Sequence, residues 1–141
     1  MTDFIQILTT TDTKETAERI ARRLLERRLA GCVQVSGPIT SSYWWKGKIE
    51  TSEEWACAIK TRAEQYPEVE REICAVHPYE VPEILAFPVA LGSKTYLSWL
   101  ADSVRVTQKK ARSAEKRKRA RTNERKQSGA KGSVSESRHH E

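Results

Sequence analysis

The side chains best suited to chemistry lie together in one short segment, HPYEVPEI (residues 77–84). It contains an imidazole (His77), a phenol (Tyr79) and two carboxylates (Glu80 and Glu83), together with two prolines. Because a proline ring restricts the backbone, the segment presents these side chains in a nearly set geometry. Imidazole and carboxylate groups bind metal ions and also transfer protons, so a metal site, an acid–base site and a purely structural entry to the following strand are all open interpretations.

The histidine content limits the metal interpretation. His77 is the one histidine of residues 1–104, because the other two are His139 and His140 near the C terminus. A metal centre built from several histidines of one subunit is therefore excluded. A single histidine in a turn is more often a hydrogen-bonding anchor than a ligand, and both roles remain open for His77.

Other kinds of site find little support in the sequence. The six glycines are scattered, and neither GxGxxG nor GxxxxGK[ST] occurs, so no phosphate-binding loop is indicated. The three cysteines (Cys32, Cys57 and Cys74) form no CxxC pair and have apolar neighbours. We expect them to be buried, reduced thiols rather than a disulfide framework or a zinc knuckle.

The order of apolar patterns predicts the elements that position the HPYEVPEI segment. The predicted order is β-α-β-β-α-β-α, which is the split βαβ pattern of an α+β ferredoxin-like sandwich with a C-terminal helix. The predicted elements are a strand over 4–11, a helix from Asp12 to Gly31, a hairpin over 32–62, a helix from Pro67, a strand over 83–91 and a helix from Ser93.

Details of these elements rest on local signals. Asp12 and Glu15 have the spacing of a capping box, and Gly31 is predicted to close the first helix at its C′ position. Gly47, within KGK, is the predicted hairpin turn. Pro88 indicates that the last strand lies at an edge of the sheet or contains a bulge.

Three consecutive rings, Tyr43 to Trp45, point to both faces of the first hairpin strand. One small sandwich can cover only one of these faces, so some of the rings must be exposed or covered by another subunit. We favour oligomerisation through the hairpin over an aromatic box that stacks on a ligand.

The charge is distributed unevenly along the 141 residues. Residues 1–104 contain 12 basic and 15 acidic residues, whereas residues 105–141 contain 13 basic and 4 acidic ones. The C-terminal stretch has almost no large apolar residues, so we predict a folded domain over 1–104 and a basic, disordered tail over 105–141. We favour a purely solvated tail, with non-specific polyanion contact as the alternative.

No targeting signal is recognisable in the sequence. The N terminus lacks the basic start and long apolar core of a signal peptide, and no apolar run approaches the roughly 20 residues that span a bilayer. We therefore expect a cytoplasmic protein without a membrane partner.

Taken together, the segments over residues 4–104 resemble the CutA family, the proteins named for divalent-cation tolerance. The motifs that carry the resemblance are LAGCVQV, ITSSYWWKGKIE, EEWACAIKTR, VHPYEVPEILAFPV and YLSWL, in this order. The resemblance implies a homotrimer similar in architecture to the PII signalling proteins. It also implies a role in the response to copper or other divalent cations, and no enzymatic activity.

The resemblance also implies candidate site residues. The metal ligands proposed for bacterial members include a cysteine at the end of the first strand and two adjacent histidines before PY. Here Thr9 or its neighbour takes the first position and VH replaces the pair, so His77 alone remains as a metal ligand, with Glu80 or Cys32 as its companions. The candidate ligand-binding residues near a subunit boundary are His77, Tyr79, Glu80, Lys60 and Trp45.

Two alternative functions remain open. The first is a PII-like module that binds a small anion or nucleotide, with Lys60 and Arg62 supplying positive charge to a cleft between subunits. The second is binding of nucleic acid or another polyanion through the tail.

Overall fold

The computed structural model describes residues 3–106 and 115–127. Residues 3–106 form an α+β fold in which one four-stranded antiparallel sheet has the order β2-β3-β1-β4, as the ferredoxin-like prediction requires. The elements are β1 (Phe4–Thr11), α1 (Lys14–Glu26), β2 (Cys32–Trp45), β3 (Lys48–Arg62), a 3₁₀ turn (Ala63–Gln65), α2 (Tyr66–Val76), β4 (Ile84–Pro88) and α3 (Lys94–Ser103).

The chain divides into two units, residues 1–105 and residues 106–141. In the second unit, residues 115–127 form a helix, α4. The disorder predicted over 105–141 does not hold for residues 115–127, which are helical, and residues 107–114 and 128–141 lie outside the described residues. No helix within residues 3–106 or 115–127 is long and apolar enough to cross a membrane.

One face of the sheet forms the hydrophobic core with α1 and α2. Strand residues at alternate positions, such as Ile7 and Ile59, point into this core and meet Ile20 of α1 and Ile73 of α2. The alternation predicted for β3 is confirmed, because Cys57 and Ile59 are fully buried while Lys60 points to the opposite face. That opposite, open face carries half-exposed Leu85 and Phe87 on β4, which lies at the edge as Pro88 predicted.

Both predicted boundaries of α1 are wrong. The N-cap is Thr13, which has an extended backbone (φ −133°) and whose hydroxyl accepts the Thr16 backbone N–H at 3.1 Å. The Asp12 carboxylate accepts a hydrogen bond from the Thr11 hydroxyl. At the other end the helix stops at Glu26, and Arg28 adopts the left-handed conformation (φ 58°) that was expected of a glycine.

Gly31 serves close packing instead of helix termination. A Cβ atom at this position would lie 2.6 Å from Leu100 Cδ1, and real Cβ contacts are not that short. The absence of a side chain therefore lets the start of β2 lie directly against α3.

The β2–β3 hairpin is confirmed, and its turn has left-handed backbone at both Lys46 (φ 51°) and Gly47 (φ 79°). This is the pattern of a type I′ turn, which matches the twist of the flanking strands. Since β1 pairs with β3 only from Trp55 onward, residues 39–45 and 48–54 project beyond the sheet as a two-stranded arm. A ribbon of two strands is marginally stable by itself, so the arm needs a further contact surface.

The burial predicted for the three cysteines is confirmed for Cys57 only. Cys57 is buried, and burial raises the pKa of its thiol to about 11. Cys32 is partly exposed and Cys74, on the outer face of α2, is exposed. All three are free thiols.

Candidate functional site

An open groove with a volume of about 900 Å³ lies between the β2–β3 arm and the segment that follows His77. The arm forms one wall, the segment Tyr79–Glu83 forms the other, and Thr10 of β1 contributes to the lining. The lining residues are Thr10, Ser41, Ser42, Tyr43, Trp44, Trp45, Ser52, Glu54, Tyr79, Glu80, Val81, Pro82 and Glu83.

Thr10 of β1 forms hydrogen bonds to both ends of the segment 77–83. Its backbone carbonyl lies 2.8 Å from His77 Nε2, and its hydroxyl donates to Glu83 Oε2 at 3.2 Å. Thr10 is buried, so these two bonds hold one wall of the groove at the end of the central strand.

The His77 ring uses both of its nitrogens in hydrogen bonds. The backbone N–H of Tyr79 donates to Nδ1 at 3.1 Å, so the ring proton resides on Nε2 and is donated to the Thr10 carbonyl. The ring also meets the Tyr79 ring edge-on, with 4.8 Å between centroids. A metal ion at His77 would have to displace one of these two hydrogen bonds.

A buried carboxylate lies on the groove lining and is bonded to a tyrosine. Glu54 is only 6% exposed, and the Tyr79 hydroxyl donates to its Oε2 at 3.0 Å. Burial raises the pKa of Tyr79, and the hydrogen bond to Glu54 raises this pKa further. Tyr79 thus remains a neutral donor over the physiological pH range and directs the carboxylate of Glu54.

The charge of the lining is acidic. Three carboxylates (Glu54, Glu80 and Glu83) face the groove, and no lysine or arginine is present among the described residues that line it. This lining favours a cation or a hydrogen-bond donor over an anion. It therefore gives no support within one chain to the anion-binding alternative.

The candidate residues from the sequence are only partly brought together. Trp45, Tyr79 and Glu80 line the groove, and His77 lies directly behind Tyr79. Lys60 lies six residues from Glu54 along β3, a distance of roughly 20 Å, where it donates to Gln34 Oε1 at 2.8 Å.

The basic residues proposed for the anion site are also engaged elsewhere. Arg62 forms an ion pair with Glu64 at 3.2 Å and donates to the Ala101 carbonyl at 3.3 Å. Neither Lys60 nor Arg62 reaches the groove within one chain.

Thr10 and Glu54 were not identified from the sequence, and Glu83 was named only as a carboxylate of the segment 77–84. Glu54 faces the open side of β3, where an acidic residue normally contacts solvent. Nothing in the neighbouring sequence therefore indicated that its side chain is buried. The one available hint was its position directly before the alternating apolar run that begins at Trp55.

The copper site implied by the family resemblance does not fit the residues of one chain. The Thr9 hydroxyl is buried on the core side and has no hydrogen-bond partner among the described residues. Cys32 pairs in register with Lys60, at the far end of the sheet from His77. Within residues 3–106 and 115–127, no three histidine, cysteine or acidic side chains form a group that could hold a metal ion.

The groove is bordered by apolar surface that one chain leaves uncovered. Trp44 is 73% exposed and Ile49 is 65% exposed at the tip of the arm, and Val81 on the opposite wall is 69% exposed. Large apolar side chains concentrated at one place mark an interaction surface.

Comparison with known proteins gives one consistent result. The family model "CutA1 divalent ion tolerance protein" matches residues 5–103. The chain is 47% identical over 104 residues to "Divalent-cation tolerance protein CutA" of Archaeoglobus fulgidus, covering 74% of this chain and 99% of the relative. It is 45% identical over 87 residues to "Protein CutA" of Homo sapiens, covering 62% of this chain and 49% of the relative.

Solved structures agree with the sequence comparison. The divalent cation tolerance protein from Thermus thermophilus superimposes with a TM-score of 0.71 at 37% identity, covering 72% of this chain and 99% of that one. The corresponding values for the protein from Oryza sativa are a TM-score of 0.73, 36% identity, and 75% and 97% coverage.

Proposed function

Because the chain belongs to the CutA1 divalent ion tolerance family, we propose that it is a non-enzymatic divalent-cation tolerance protein that acts as a homotrimer. Its ligand site in this proposal is the groove between the arm and the segment Tyr79–Glu83. The observation that carries the assignment is the buried Glu54 carboxylate, directed by Tyr79 in a lining that contains two further carboxylates.

The exposed arm supports the proposed assembly. A two-stranded ribbon with exposed Trp44 and Ile49 gains stability if it adds to a neighbouring subunit, where its apolar side chains are removed from water. The half-exposed Leu85 and Phe87 on the open face of the sheet supply apolar surface for the same association. A neighbouring subunit would then complete the groove, whose wall is formed by the arm.

The proposed ligand is a divalent cation held by oxygen atoms. Because the described residues of one chain form no group of three metal-binding side chains, the carboxylates of the groove would supply only part of its ligands and a neighbouring subunit would supply the rest. Carboxylates are preferred by hard cations such as Mn²⁺, whereas copper prefers the imidazole and thiolate groups that this groove does not offer from one chain. We assign His77 to positioning: it fixes Tyr79, which in turn directs Glu54. Under the copper alternative, His77 would itself be the ligand.

The assembly is tested by light scattering on the full chain. We expect a mass three times that of the chain, and we expect Trp44→Asp to lower it because a charge would enter the proposed interface. Leu25→Asp is the matched control, since Leu25 is also exposed but lies on the outer side of α1. A monomer in the unmodified protein would refute the homotrimer.

The ligand is tested by calorimetric titration with Mn²⁺, Zn²⁺ and Cu²⁺. We expect Glu54→Gln to weaken Mn²⁺ binding about tenfold or more, a loss of about 1.4 kcal/mol. Glu53→Gln is the control, because Glu53 is the exposed neighbour outside the groove. Copper binding that His77→Ala abolishes and Glu54→Gln leaves unchanged would instead establish the copper alternative.

The size of the groove favours a second candidate, a PII-like module for a small organic ligand. About 900 Å³ lies within the range of small-molecule pockets and is large for a bare ion. The acidic lining would select a neutral or cationic compound rather than a nucleotide. A thermal-shift screen in which no metabolite raises the melting temperature would count against this candidate.

We also propose a cytoplasmic location, since the three cysteines are free thiols and such thiols persist in a reducing compartment. One structural relative, from Archaeoglobus fulgidus, carries the description periplasmic, which applies to that protein. Cell fractionation with an antibody against the chain distinguishes the two locations.

A further inference from the structure

The helix α4 (residues 115–127) carries a concentrated positive charge. Seven of its thirteen residues are lysine or arginine and two are glutamate, which gives a formal net charge of +5. All of its residues are exposed, and Ala120 is its one apolar residue. A helix without an apolar stripe gains nothing from packing on a protein core, so its surface is available to solvent or to an oppositely charged partner.

The positive charge includes a continuous stripe. Arg117, Arg121 and Arg125 follow one another at intervals of four residues, so their side chains lie on one face of the helix over about 12 Å. Together with Lys118 and Thr122 they line a shallow depression on this face. We call these five residues the basic face.

Three further cations of α4, Lys116, Arg119 and Lys126, point away from the arginine stripe. Arg119 forms an ion pair with Glu115 at 2.9 Å. Lys116, Arg119 and Lys126 carry the same formal charge as the three arginines of the stripe. The helix therefore offers a matched set of cations in a different direction.

We propose that the basic face binds the phosphate backbone of double-stranded nucleic acid. Guanidinium groups bind phosphate oxygens through paired hydrogen bonds, and a row of them can neutralise successive phosphates along one strand. Such contacts carry no sequence information, so the binding is non-specific and depends strongly on salt.

Duplex nucleic acid fits α4 better than the other common polyanions. An interfacial membrane helix needs an apolar face to insert among lipids, and α4 has none. Single strands are held by stacking of bases on aromatic rings, and α4 contains no aromatic residue.

This binding would be an addition to the folded domain and independent of the groove. The Archaeoglobus fulgidus relative is covered to 99% by a match of 104 residues, so it contains no counterpart of α4. The solved Thermus thermophilus structure, covered to 99% by 72% of this chain, shows that the domain folds without such a helix. Residues 1–104, with 12 basic and 15 acidic residues, would not attract nucleic acid by themselves.

The test is fluorescence anisotropy of a labelled DNA duplex of mixed sequence, titrated with the full chain at several salt concentrations. Four phosphate contacts predict a slope of about −3.6 for log K against log [salt], or roughly 100-fold weaker binding at 200 mM than at 50 mM salt. A protein truncated after residue 106 should not bind. Duplex binding by this truncated protein, or none by the full chain at 50 mM salt, would overturn the proposal.

Two variants with equal net charge locate the contact. Arg117→Glu combined with Arg121→Glu and Arg125→Glu should abolish binding, whereas Lys116→Glu combined with Arg119→Glu and Lys126→Glu should retain most of it. Replacing the three arginines of the stripe by lysine preserves the charge and should preserve the salt slope, and circular dichroism reports the helix content of each variant. Equal losses in both glutamate variants would overturn the assignment to this face, and binding to vesicles of anionic lipid but not to the duplex would overturn the choice of partner.

Discussion

Replacement of Tyr79 by phenylalanine tests the central contact of the groove. The substitution removes only the hydroxyl group that donates to Glu54 Oε2 at 3.0 Å, and it leaves the ring against His77 in place. Because Glu54 is 6% exposed, water cannot fully replace the lost donor. A hydrogen bond to a charged group contributes about 1.5–3 kcal/mol, so we expect the free energy of unfolding to fall by about 2 kcal/mol per chain.

The assay is urea denaturation followed by tryptophan fluorescence, with all variants at one chain concentration because the proposed assembly would make stability concentration-dependent. Tyr43→Phe is the matched control: it removes an exposed hydroxyl that lies 3.2 Å from Ser52 Oγ, and we expect a change below about 0.5 kcal/mol. A double-mutant cycle with Glu54→Gln should give a coupling energy of about 1 kcal/mol or more. Equal losses for Tyr79→Phe and Tyr43→Phe, with no coupling to Glu54, would refute the reasoning.

Three further predictions concern the surrounding structure. His77→Ala should remove the hydrogen bond to the Thr10 carbonyl and increase the rate of hydrogen exchange at the Tyr79 amide. An unchanged exchange rate would show that His77 does not position Tyr79. Gly31→Ala should lower the free energy of unfolding by about 1–3 kcal/mol, because its Cβ would lie 2.6 Å from Leu100 Cδ1. In the Gly31→Ala protein, Leu100→Ala should lower this free energy by less than it does in the unmodified protein. Equal losses in the two proteins would contradict the clash. Burial raises the pKa of Cys57 to about 11 from 9.0, so the native state favours the thiol and stability should fall as the pH rises from 9 to 11. Cys57→Ser should reduce this fall, and an identical pH profile would show that Cys57 does not contribute.

Much of the fold could be predicted because its signals are local. The type I′ turn at Gly47 and the N-cap at Ser93, which accepts the Tyr96 N–H at 3.3 Å, depend on residues adjacent in sequence. The edge position of β4 follows from Pro88, which cannot donate to a neighbouring strand. The turn and the cap therefore depend on residues close in sequence rather than on distant contacts.

The errors arise where neighbouring residues compete for the same role. Asp12 and Thr13 are both good N-caps, and the tertiary path of β1 leaves Thr13 in the extended conformation that a cap requires. Glycine is the usual residue after a helix end, which favoured Gly31, but Arg28 adopts the left-handed conformation three residues earlier. Sequence spacing alone does not decide between such alternatives.

The candidate site was only partly predictable because its contacts connect distant parts of the chain. Glu54 and Tyr79 are 25 residues apart, and Thr10 and Glu83 are 73 residues apart. The rigid segment around His77 was identifiable from its prolines and polar side chains. The contact of Tyr79 with Glu54 and the hydrogen bonds that occupy the His77 ring were not identifiable, because both depend on the sheet that brings Thr10 and β3 beside this segment.

The most direct measurement is the anomalous difference density of crystals of the full chain soaked with Mn²⁺. We predict a peak in the groove beside the carboxylates of Glu54 and Glu83, with the hydrogen bonds of His77 to Thr10 and Tyr79 intact. A groove without a peak, or a cation bound directly to the His77 ring, would contradict it.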